Sequence, residues 1–378
     1  MSLLAYARAK EEKNSSILHS TAPALPPSSD IPQSPYLQEH KKDLQAIINF
    51  TYDEFLDLWR DFDVVFQGKR TRGPRPKLDS LDSLFVSLTH YSLYLPLDEH
   101  AALFHLKETT LADTMTRVRP TLLETLKNRW NPTNFRPTPL QSPLFPYVGL
   151  ILDSTTVPVY HPKVRFEEAK QYYDKKNGVY GLKKVAVMAA APHFALFLQK
   201  GHPGAHHDYS ILKGTQQSYD TYTNKTPAET LSLHPDTDKK WAILCDNGYQ
   251  GPATDTPSIR RLFVERSVTL QSLLQRNEEL SKIRVPVECF FGRAKALWPL
   301  LHTRYRGDHA NFDADTDICF LLTNESIKNG SPLHPEDQTF FTHTTTVALQ
   351  ANEAQTAKRK NSMIRFKERK KVRLEGFH

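Results

Sequence analysis

Two short apolar runs that each end in an aspartate constrain this chain more than any other feature. Val148, Leu150, Ile151 and Leu152 run into Asp153, and Trp241, Ala242, Ile243, Leu244 and Cys245 run into Asp246. Each run is too short and too continuously apolar for an amphipathic helix. Together with the β-prone Thr155, Thr156, Val157 and Val159 that follow Asp153, they read as strands buried on both faces, as in α/β folds. An ionised carboxylate at such a strand end is costly unless it is paired, bound to a cation or released into a turn. Taken alone, Asp153 could simply open a turn.

The chain carries two further acids in similar settings. Residues 183–190 and 194–199, joined by Ala191-Pro192-His193, read as a β-hairpin. The turn "GHPGAHHD" then leads to Asp208 and a short helix. Glu288 lies in "RVPVECFFGRAKALWPLL", where Pro286 suits a first-turn position and so puts Glu288 in the first turn of a helix. In α/β sheets ligands gather beyond the carboxyl ends of strands. Three or four acids crowded there repel one another unless cations lie between them. Carboxylate oxygens suit Mg²⁺ or Mn²⁺, and two such ions ~3.5–4 Å apart clamp both oxygens of a phosphoryl displacement. His206 and His207 read as turn residues, placed beside Asp208 where they could orient a carboxylate or touch DNA. Phe290, Phe291, Leu297 and Trp298 read as core.

These blocks resemble a known family. "ILDSTTVPV", "GHPGAHHDYSILK", "LCDNGYQGP" and "RVPVECFFGRAKALW" resemble, in order, the motifs of DDE superfamily endonucleases of the PIF/Harbinger transposase type. The likeness runs from about residue 145 to 325 and ends on "ICFLLTN". It implies an α/β, RNase H-like catalytic domain over 145–330, a mixed sheet flanked by helices. Asp153, Asp246 and Glu288 become the catalytic acids. Asp208 joins them as a metal-proximal acid, and two Mg²⁺ or Mn²⁺ ions are the cofactor. The implied activity is hydrolysis of phosphodiesters at transposon ends and joining of a 3′-hydroxyl to target DNA. Cys289 stands where the family usually carries Arg, Cys245 where it carries Gly and Thr323 where it carries His. The interval between Asp246 and Glu288 is also longer than usual. The likeness further implies double-stranded DNA as partner and a Myb-like accessory protein.

Before this domain, residues 41–135 read as helical. Leu44, Ile47, Ile48, Phe55, Leu56 and Trp59 keep helical spacing, and Leu81–Leu93 reads as an amphipathic helix. A short helix after Pro96, the turn "LKETT" and a helix over Thr109–Val118 give a helix-turn-helix pattern, whose second helix can enter a major groove. The linker between these helices is basic. Its Arg70, Arg72 and Arg75, with Lys183 and Lys295 of the α/β part, are candidate DNA-phosphate contacts.

Residues 1–40 are rich in Ser and Pro and read as disordered. The formal net charge is +7, and the segment 358–378 alone holds nine Lys/Arg against two Glu, so the remainder of the chain is balanced. That tail, 331–378 in its wider bounds, reads as a nucleic-acid arm or a nuclear-import signal. Three widely spaced cysteines argue against a disulfide framework or zinc site and suit a reducing compartment. No apolar run approaches a membrane span, and the N-terminus lacks a secretory h-region. The expectation is a nuclear DNA transposase with no membrane partner and a homodimer as candidate assembly. The alternatives are a domesticated DNA-binding protein that keeps the acids but has lost cleavage, and an adaptor that its tail directs to the nucleus.

Overall fold

The computed structural model describes residues 34–69, 77–131, 134–233, 236–265, 271–330 and 333. The basic tail, Arg70, Arg72, Arg75 and the first 33 residues lie outside them. Seven strands make one sheet: β1 Val148–Pro158, β2 Tyr173–Asp174, β3 Val179–Ala189, β4 Ala195–Leu198, β5 His202–Pro203, β6 Ala242–Cys245 and β7 Arg260–Leu262. β3 pairs antiparallel with β1 on one side and with β2, β5 and β4 on the other. β6 pairs parallel with β1, and β7 parallel with β6. The sheet is therefore mixed, as the sequence predicts, and the expected hairpin is β3–β4.

The helices are α1 Pro35–His40, α2 Leu44–Ile48, α3 Tyr52–Gly68, α4 Ser80–Leu93, α5 Leu97–Leu103, α6 Glu108–Arg129, α7 Phe166–Gln171, α8 Asp208–Thr215, α9 Asp220–Thr223, α10 Pro227–Ser232, α11 Gln271–Leu297 and α12 Phe312–Lys328. Side chains alternate across the pleat, which sorts the sheet residues onto two cores. Leu150, Leu152, Ile243 and Cys245 face Ile211 and Leu212 of α8 and Tyr249. Ile151, Val157, Ala242 and Leu244 face the other way, into the larger core with Phe290 and Phe291 of α11 and Phe320 of α12. Among the described residues, no helix is long and apolar enough to cross a membrane.

Four expectations need correction. Residues 35–40 form a helix, capped by the Ser34 hydroxyl, that buries Leu37, so the expected disorder does not reach residue 40. α4 is not amphipathic. Ser83, Ser87, Thr89 and Ser92 are as buried as its leucines, and Thr89 returns its hydroxyl to the Phe85 carbonyl. A small hydroxyl residue that returns its proton to the preceding turn, as Thr89 does, or that reaches a carbonyl of another segment, as Ser92 does at Ile47, can be polar in sequence and interior in space.

Third, the boundary at 135–145 changes the element type but does not separate two cores. Residues from Leu37 to Leu322 share the larger cluster. Arg129 pairs with Glu325 at 2.9 Å, the Trp130 indole donates to the same carboxylate at 2.8 Å, and Asp315 accepts from both Tyr91 and Arg119. α5 and α6 do flank a tight turn, but α6 runs to Arg129, and its outward side carries Glu108, Asp113 and Glu124 beside Lys127.

Fourth, Pro286 lies inside α11 and not in its first turn. An interior proline removes one helical hydrogen bond and costs about 3 kcal/mol. Upstream burial of Leu280, fully covered, offsets that loss. Glu288 accordingly sits in the second half of a helix 27 residues long.

Candidate active site

The register of β1 against β6 sets up the site. Their last paired residues are Leu152 and Cys245, so Asp153 and Asp246 are the next residue on each of two adjacent parallel strands. Asp246 is still extended, at φ −68° and ψ 158°. Neighbouring strands lie ~4.8 Å apart, and residues in register point to the same face. Leu152 and Cys245 enter the smaller core, so both aspartates turn to the opposite face, where α11 packs. Asp153 is not the end of its strand, since β1 stays paired with β3 as far as Pro158. It is the end of the β1–β6 pairing, and this is where the sheet opens.

Glu288 reaches the same place from α11. One guanidinium joins the two elements: Arg284 Nη1 lies 3.4 Å from Asp153 Oδ2, and its Nη2 donates to Glu288 Oε1. Arg284 and Glu288 are four residues apart, which puts them on one helix face. Burial raises the Asp153 carboxyl to about 6, with the Asp246 charge pushing the same way, while Arg284 and the Ser154 amide hold it down. The Asp153 side chain is 18% exposed, enough to meet a substrate at the surface.

Asp208 does not join this group. Its Oδ1 accepts from Lys183 Nζ at 3.0 Å and from Ser154 Oγ at 3.4 Å. Ser154 follows Asp153 and points through the sheet to the other face, as does Lys183 by its register with Thr156. A Cβ on Gly248 would stand 2.9 Å from Asp208 Oδ2, so this glycine lets the turn after Asp246 approach the carboxylate. His207 caps α8 through its Nδ1, and the His206 carbonyl accepts from Lys183. The expected convergence of four acids is thus three on one face and one on the other. Among the described residues, no three His, Cys, Asp or Glu side chains are spaced to hold an ion together.

Two expected DNA contacts change character. Lys183 is an ion-pair partner of Asp208. Lys295 is 8% exposed and lowered to about 8 by burial, against the opposing pull of Asp174, so it faces the interior instead of a phosphate. Sequence reasoning missed Arg284, although the Arg-x-x-x-Glu spacing was a usable local signal.

Residues 152–324 match the family model described as DDE superfamily endonuclease. The match begins one residue before Asp153, ends at Asn324 and contains all four acids. It spans somewhat less than half of the 378 residues. No curated protein and no solved structure matches the chain. Over the matched span the chain is similar to transposase-like nucleases acting on DNA. This DDE-like region comprises the sheet from Leu152 onward and α7 to α12, up to Asn324. α1 to α6 lie before it.

Proposed function

We propose that the protein is a metal-dependent DNA endonuclease of the DDE transposase type, with Asp153, Asp246 and Glu288 as its catalytic acids. One observation carries the reading: two aspartates in register on adjacent parallel strands lie under a helix whose glutamate shares an arginine with one of them. The strand order β4-β3-β1-β6-β7, antiparallel up to β1 and parallel beyond it, supports the RNase H-like assignment.

The donor set fits a hard divalent cation in its chemistry, while its present spacing, with Arg284 between two of the acids, does not bring three carboxylates onto one ion. All three groups are carboxylates, Asp153 is raised by burial and by its acidic neighbour, and Arg284 already stands between two of the acids as a positive charge. Endonucleases of this family generally use divalent metals, which supply charge neutralisation and an activated water at the scissile phosphate. Asp153, Asp246 and Glu288 would hold the ions once the guanidinium turns aside. Arg284 is then free to pair with a phosphate oxygen, to which its planar fork is suited. Lys183 pairs with Asp208 on the far face, where the carboxylate lies against Gly248 of the turn after Asp246.

DNA ends and target, 3′-end joining, the PIF/Harbinger type, nuclear location, a homodimer and a Myb-like partner belong to the same proposal. The test is nicking of terminal-repeat duplex with Mn²⁺. Asp153→Asn and Glu288→Gln abolish cleavage and keep binding. Equal cleavage by Asp153→Asn and the parent refutes the assignment.

A second reading is a transposase-derived DNA-binding protein without cleavage. Arg284 seated between Asp153 and Glu288, and Cys289 beside Glu288, favour it. Metal-independent binding with no nicking by the parent chain selects this reading.

A further inference from the structure

The ribbon of β1 and β3 extends past the active site. β6 stops at the Leu152–Cys245 pair, but β1 and β3 stay paired to Pro158 and Gly181. Around the ribbon's tip lies an open cavity of about 1030 Å³, walled by the ribbon, α7, β2 and Arg304. Tyr160, Phe166, Tyr173 and Tyr180 contribute rings to it, and Lys163, Lys170 and Arg304 contribute charge. No aspartate or glutamate is among its lining residues, although Glu167, next to the groove on α7, lies 3.8 Å from Lys170.

Its rings are of two kinds. Tyr180 is held edge-on by Tyr173 at 5.2 Å and by His161 at 4.5 Å, which makes a fixed wall. Tyr160 and Phe166 are 54% and 73% exposed, with the Arg304 guanidinium 5.8 Å from the Tyr160 ring. With Val164, at 50%, they are three of the seven large hydrophobics exposed among the described residues, and all fall within residues 160–166. Exposed apolar clusters of this kind mark interaction sites.

The net positive lining of Lys163, Lys170 and Arg304 disfavours a cationic partner even with Glu167 beside Lys170, and the ring faces suit flat, stackable groups on an anionic chain. Duplex bases are already stacked on one another, whereas unpaired bases are available to aromatic side chains. We propose that this groove binds unpaired nucleotides of a DNA strand by stacking on Tyr160 and Phe166, with Lys163, Lys170 and Arg304 along the phosphates. The nature of the strand rests on the nuclease reading, and the stacking geometry does not. Val159 lies six residues beyond Asp153 and directly follows β1. At ~3.3 Å per residue the groove is ~20 Å from the acids, a span of several nucleotides. It therefore holds strand flanking the cut and not the cut itself.

The probe is a 12-nucleotide oligothymidylate with one central 2-aminopurine, titrated in chelator so that no cleavage intervenes. The parent quenches the 2-aminopurine on binding. Tyr160→Ala and Phe166→Ala lose most of the quench and bind the oligonucleotide roughly 5- to 100-fold more weakly. Both retain blunt-duplex affinity within about twofold, and Phe166→Tyr restores the quench. Circular dichroism verifies that these solvent-side substitutions leave the fold intact. Unchanged quench and affinity in both alanine variants overturn the groove, as does equal weakening for duplex. Asp153→Asn keeps the full quench. Nicking with no groove effect leaves the nuclease reading standing and sinks the groove, and a groove effect without nicking does the reverse.

Discussion

Asp153→Asn makes the protein more stable at neutral pH while removing the proposed catalysis. Burial raises the Asp153 carboxyl from 3.8 to about 6, even with Arg284 and the Ser154 amide opposing the rise. The folded state therefore binds this proton more tightly than the unfolded chain does. Stability from this group is fully present below the unfolded value near 4 and is lost as pH rises through about 6. At ~1.4 kcal/mol per unit, holding the charged form at pH 7.5 costs about 2–3 kcal/mol. Asparagine has the same shape and no charge, so it avoids that cost. With an unfolding entropy of ~2.1 cal/mol/K per residue, a unit spanning Leu37 to Leu322 shifts by roughly 1.6 °C per kcal/mol, which gives a rise of about 3–5 °C in Tm. The assay is thermal unfolding of parent and variant in chelator at pH 7.5, 6 and 4.5. The expected gap is widest at pH 7.5 and closes toward pH 4.5. A variant that melts at or below the parent at pH 7.5, or a gap that ignores pH, refutes desolvation as the cause.

Metal reverses the comparison. Mn²⁺ at about 100 times its Kd stabilises the parent by ~2.7 kcal/mol and Asp153→Asn far less, as read by Tm with and without the ion. Arg284→Ala removes the main positive charge acting on Asp153, so its carboxyl moves further up. This variant melts below the parent at pH 7.5 in chelator, and acidification or Mn²⁺ recovers the loss. Lys184, with a side chain 1% exposed, pairs with Asp313 at 3.0 Å and Asp317 at 2.7 Å. Lys184→Met strands a buried acid and destabilises by about 3–5 kcal/mol in denaturant titration, and adding Asp317→Leu recovers much of it.

The strands were legible because burial on both faces demands short, unbroken apolar runs, and the acids were legible because they end those runs. The order of the motifs carried the resemblance, and the family match over 152–324 bears it out at the level of a DDE-like nuclease. The register of β1 and β6 was not legible, although it is what makes Asp153 and Asp246 neighbours. Nor was the face taken by Asp208, which depends on a serine one pleat away from Asp153 and 54 residues from Asp208 itself.

Sequence by itself therefore determined which side chains are chemically able to act and on which kind of element each is carried. Periodicity and residue type are local properties of the chain. Tertiary structure alone decided the rest: that Arg284 bridges acids 131 and 4 residues away, that Lys295 is interior, and that the tip of the β1–β3 ribbon gathers rings and cations. Those outcomes depend on packing between segments far apart in the chain, where pleat parity and helix rotation choose the neighbour and no local pattern records the choice.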